Sequence, residues 1–181
     1  MNQPTEFQDS PRQHIHLKNM IASCFVLAVG VGFAGSLMHG LPIQHFAWAI
    51  SSFFMIIGAS LLSSKLTRAG HDIPAAGFIV LSIGQATSYA FIATHDAGVE
   101  QFGAVIAIFI PSLILISMYN IVPLSVRIAG FISAATFASL AACIYQEVEA
   151  EWVQPVFTTA AYLTMNFVIV GWAWLIYREK I

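Results

Sequence analysis

The side chains able to do chemistry are few and gather in two places. His39, His45, His95, Asp96 and Glu100 stand at or beside breaks in a strongly apolar sequence, and Glu147, Glu149 and Glu151 mark a later break. Imidazole and carboxylate together make a donor set for zinc, manganese or copper. The same mixture suits a pH sensor, since imidazole titrates near neutrality and a carboxylate neighbour raises that value. No H-E-x-x-H or comparable spacing accompanies these residues. A loop that avoids Lys and Arg must still be polar, so a plain solvated loop is the competing reading. Three histidines at one depth could also ligate a haem, but no C-x-x-C-H attachment motif occurs. The second place lies inside the apolar runs, with Gln85, Thr87 and Ser88 in one and Thr164 and Asn166 in another. Such neutral groups either line a passage for a small neutral solute or bond helix to helix, at about 0.6 kcal/mol each.

Catalytic signatures do not accompany either set. There is no C-x-x-C, no G-x-S-x-G, no Gly-rich phosphate loop and no clustered histidine box of a di-iron enzyme. An enzyme is therefore not expected. No cofactor is identified, and a divalent metal at the histidine and acid cluster is the single candidate. No carboxylate lies in mid-run, which argues against a carrier coupled through a buried acid. A net charge of −2, without a basic patch, excludes a nucleic-acid partner.

The elements that must position these residues follow from composition. Of 181 residues, 58% are hydrophobic and 9% charged, and the mean hydropathy is +0.78. A soluble domain carries about 25% charged residues and could not hide so much apolar surface. In lipid the surface is covered, and backbone polar groups must pair within helices. The sequence predicts an all-α bundle of six transmembrane helices, roughly Asn19–His39, His45–Ser64, Ile73–His95, Gln101–Tyr119, Val122–Tyr145 and Trp152–Tyr177. Residues 1–18 form a polar tail and 19–181 a single membrane domain. Pro111 is expected to kink the fourth helix. Cys24 and Cys143 fall toward opposite ends of parallel helices, so they should remain separate apolar thiols.

All seven basic residues fall on one side of this arrangement: Arg12, Lys18, Lys65, Arg68, Arg127, Arg178 and Lys180. The positive-inside bias then places both termini in the cytoplasm of a cell inner (plasma) membrane. Arg127 should snorkel to the headgroups. Trp172, Trp174 and Tyr177 should form the inner aromatic belt, with Trp152 in the outer one. Phe25, Phe78 and Phe131 stand 53 residues apart, and Ala76-Gly77-Phe78-Ile79 recurs as Ala129-Gly130-Phe131-Ile132. Three parallel helical hairpins would produce this period. Chance matching between apolar helices is the alternative. Small residues at Gly130, Ala134, Ala138 and Ala142, and at Ala28, Gly32 and Ser36, should face neighbouring helices.

In size and hairpin plan the chain resembles the HdeD-type acid-stress membrane proteins. That resemblance covers architecture and carries no residue across. The function expected from the residues is that of a transporter- or channel-like protein for a small neutral solute. The competing expectation is a non-catalytic stress-response protein or accessory subunit. The partners expected are the lipid bilayer and either a second copy or a larger membrane complex.

Overall fold

The computed structural model describes residues 11–38, 40–93, 99–146 and 153–178, and all regular structure among them is helical. In chain order the helices are α1 (Pro11–Leu37), α2 (Leu41–Arg68), α3 (Asp72–Ala93), α4 (Val99–Ala107), α5 (Phe109–Ser117), α6 (Leu124–Tyr145) and α7 (Val153–Tyr177). Five of them are long and apolar enough to cross a membrane, and Gln101–Ser117 is a shorter apolar stretch. The helices overrun the expected ends. At about 1.5 Å per residue the 28 residues of α2 reach about 42 Å, beyond the hydrocarbon core. Likewise α1 starts inside the expected tail.

The fourth expected helix is two pieces. Pro111 has no N–H for the Ala107 carbonyl, and its ring crowds the preceding turn. The Ile108 N–H accordingly bonds back to the Val105 carbonyl at 3.2 Å, a tightened turn that separates α4 from α5. Glycine sets the sharp connections elsewhere. Gly40, at φ 127°, precedes Pro42 at the start of α2. Gly70, at φ 76°, ends α2 in a left-handed turn, with the Gly70 N–H on Thr67 O at 3.0 Å and the His71 N–H on Leu66 O at 2.9 Å. That turn fixes where His71 emerges, and the His71 carbonyl then accepts from the Ala75 N–H at 3.2 Å to open α3.

Each helix packs on its neighbours in sequence, and α1 packs on α7, which closes the bundle into a ring. Serine hydroxyls bridge the seams. Ser51 donates to Ala28 O at 2.7 Å, Ser63 to Ala75 O at 2.9 Å, Ser112 to Gly77 O at 3.0 Å and Ser133 to Ala161 O at 3.0 Å. Aromatic rings join helices that are not neighbours in the ring. Phe25 of α1 stacks on Phe78 of α3 at 6.1 Å, and Phe78 meets Trp172 of α7 edge-on at 5.1 Å. Further along, Phe109, Phe137 and Tyr162 form a second cluster.

Three sequence expectations need correction or refinement. The stripe on α6 does not stay at an interface: Gly130 and Ala134 are buried, but Ala138 and Ala142 are exposed. Each step of four residues turns about 400°, so a strict four-residue row drifts about 40° per step off the contact. The buried face is instead Val126, Gly130, Ser133, Ala134, Phe137, Leu140, Ala141 and Ile144. The shorter row on α1 drifts less and holds: Ala28 accepts from Ser51, a Cβ on Gly32 would meet Ser51, and Ser36 accepts from Trp48 Nε1. Trp172 is not a belt residue, being fully buried, whereas Trp174 is 53% exposed. Finally, Phe25 and Phe78 are fully buried while Phe131 is 42% exposed, so the three do not share one environment. Cys24 and Cys143 are both free thiols.

Candidate functional site

Gln85 is the one amide buried among the described residues, at 6% exposure. It stands seven residues beyond Phe78 on α3, close to two full turns, and so lies on the stripe that carries Phe78 toward Phe25 and Trp172. Its level is set by Gly84. A Cβ there would lie 2.9 Å from Phe109 and 3.3 Å from Ile108, so α3 passes the α4/α5 break at this point. An amide can make up to four hydrogen bonds, so burying one in an apolar run is a polar feature that the surroundings must satisfy.

The other polar residues singled out inside the runs are mostly self-satisfied. Thr87 donates to Ile83 O at 2.5 Å and Ser88 to Gly84 O at 2.9 Å. Thr164 reaches Ala160 O at 2.8 Å and Ala161 O at 3.0 Å. These are turns of a helix bonding to themselves, which is the structural rather than the functional use of a hydroxyl. Asn166 is half-buried on α7. No hydrogen bond joins it to Gln85, and the two helices are not ring neighbours.

Of the histidine and acid cluster, His45 is half-buried with its ring 5.9 Å from that of Trp48. His39, His95 and Asp96 lie outside the described residues, as do Glu147, Glu149, Glu151 and the side chain of Glu100. Among the described residues no three His, Cys, Asp or Glu side chains come together as a metal-binding group.

A second constellation emerges only in three dimensions, at the end of the bundle where basic residues collect. Lys18 of α1 lies 5.8 Å over the Tyr177 ring, and Arg178 lies 4.2 Å over Trp174. Arg127 donates through Nε to the Ser117 carbonyl at 3.0 Å, where a cation complements the C-terminal dipole of α5. This bond ties α6 to α5. Inside this end, Tyr119 shares a 2.5 Å hydrogen bond with His71 Nδ1, and its ring stacks on Trp172 at 6.5 Å. Two buried polar atoms here have no partner among the described residues, Trp172 Nε1 and Ser117 Oγ. The sequence gives His71 and Tyr119 no role and puts Trp172 in the inner belt, because an apolar segment with an aromatic end looks like any interfacial belt. The Gly70 turn was the available signal, since it aims His71 back across the bundle.

Comparison of the chain with protein-family profiles, with curated proteins and with solved structures returned no match. The likeness to the acid-stress proteins is thus one of general plan.

Proposed function

We propose that the chain is a small multi-pass inner-membrane protein that crosses the bilayer six times and passes a small neutral solute along the axis of its helical ring. The observation that supports this reading is Gln85: the one amide buried among the described residues, level with the break between α4 and α5. In this reading α4, Ile108 and α5 together make the fourth crossing, about 28 Å for residues 99–117. Both termini face the cytoplasm, because Lys18, Lys65, Arg68, Arg127 and Arg178 belong to one end of the bundle and the cytoplasmic side attracts such charge. Discontinuous helices at mid-membrane suit a solute site, since backbone there is less committed to helix bonds. No charged group enters the route, so the solute is neutral and its movement follows its own gradient.

The test is flux in proteoliposomes, followed by light scattering after an osmotic step in acetamide or glycerol. Gln85→Leu should abolish the flux above empty vesicles, and Gln85→Asn should retain part of it. Equal rates for the parent protein and empty vesicles would sink the proposal.

One observation favours a second reading, that of an accessory subunit without transport. The axis is filled with aromatic rings, from Phe25, Phe78 and Trp172 to Phe109, Phe137 and Tyr162. A bundle so filled serves well as a rigid packing unit within a homo-oligomer or a larger complex. It predicts no flux, and co-purification of a second membrane component or copy in mild detergent.

A further inference from the structure

Trp172 is fully enclosed, yet its indole Nε1 has no hydrogen-bond partner among the described residues. An indole N–H can only donate. A buried donor left unpaired costs about 1–3 kcal/mol, which makes such groups rare and informative. Phe78 meets Trp172 edge to face, and Tyr119 lies nearly parallel to it, at 15°, with its hydroxyl bonded to His71. None of the described residues accepts from the indole, so this aromatic setting leaves the N–H one acceptor short.

We propose that Trp172 is a binding contact for the carbonyl or hydroxyl oxygen of a small neutral solute, with Phe78 and Tyr119 as its walls. The Tyr119–His71 hydrogen bond holds the Tyr119 ring in place beside the indole. A small amide or polyol has the right chemistry: it brings an acceptor, carries no charge and tolerates aromatic faces. Water brings the same acceptor and is the competing source. This inference deepens the solute route proposed above and takes its ligand class from it. Trp172 would be the station at the basic end. On α3, Phe78 is seven residues, about 10 Å, from Gln85.

The experiment uses the full chain in detergent with indole-15N tryptophan. Four tryptophans give four indole N–H resonances, and Trp172→Phe assigns the one of interest. If that variant does not fold, Trp48→Phe, Trp152→Phe and Trp174→Phe assign it by elimination. Acetamide and glycerol are then titrated. The expected result is a saturable shift of the Trp172 resonance, with the other three unmoved. A matching saturable rise in Tm should be weakened several-fold in Tyr119→Phe. Magnetisation transfer from water to the Trp172 N–H without any solute-dependent shift would overturn the proposal in favour of bound water. A resonance that neither shifts nor contacts water would overturn it outright. Flux without a Trp172 shift sinks this site and spares the transport reading, and a shift without flux does the reverse.

Discussion

At the residue scale, the hydroxyls of this fold divide by where they send their proton. Ser51, Ser63, Ser112 and Ser133 reach a carbonyl on the next helix, whereas Thr87, Ser88 and Thr164 return it to their own. Ser117 Oγ sends it nowhere among the described residues. Removing an interhelical bond should cost about 0.6 kcal/mol, and removing an unpaired buried hydroxyl should cost nothing or stabilise. Thermal unfolding in detergent should therefore rank Ser133→Ala below the parent and Ser117→Ala at or above it. The reverse order would show that Ser117 is bonded in solution. A double-mutant cycle over Tyr119→Phe and His71→Ala should give a coupling of about 0.5–1.5 kcal/mol, the usual net worth of a hydrogen bond. A coupling near zero would mean that the two rings merely touch. Gln85 could be flagged from sequence because an amide is conspicuous in an apolar run. Trp172 could not, because tryptophan is at home in lipid interfaces, and only its neighbours reveal that its N–H is stranded.

At the element scale, helix type and approximate placement were legible, because continuous apolar runs leave the backbone one option in a bilayer. The Pro111 break was legible for the same local reason. Which face each helix buries was not, since the all-round apolar composition of these segments hides any stripe. The α6 row shows the error: a four-residue spacing was followed past the point where the helix had turned away. The corrected face makes a sharp prediction. Ala134→Leu adds bulk to a buried position and should cost about 1–3 kcal/mol, whereas Ala138→Leu, on the exposed side, should leave the melting temperature unchanged. Equal losses would restore the four-residue row. Gly70→Ala should be similarly costly, at about 1–2 kcal/mol, because φ 76° crowds any Cβ against the backbone. It should also loosen His71 from Tyr119, read as faster hydrogen exchange over the start of α3.

At the scale of the whole molecule, sidedness rests on charge. Labelling with a membrane-impermeant maleimide in a Cys24→Ser, Cys143→Ser background should modify Met38→Cys from outside and Ala69→Cys only after permeabilisation. Both positions are exposed. Labelling of Ala69→Cys in intact cells would invert the topology. Charge distribution made this much legible in the sequence, but the closing of the ring was not, because no sequence pattern announces that the first helix meets the last. That closure has its own consequence. With α1 seated on α7, and Lys18 resting on Tyr177, the two ends of the described chain lie side by side. A ring of sequence neighbours has no natural starting point. The ends could be joined by a short polar linker and the chain reopened between Ala69 and Gly70, giving a permuted protein that begins at α3 and keeps every crossing in its original direction. During synthesis the natural order carries a penalty that the permuted one relocates: α1 is made long before α7, and its seam stays uncovered until α7 follows.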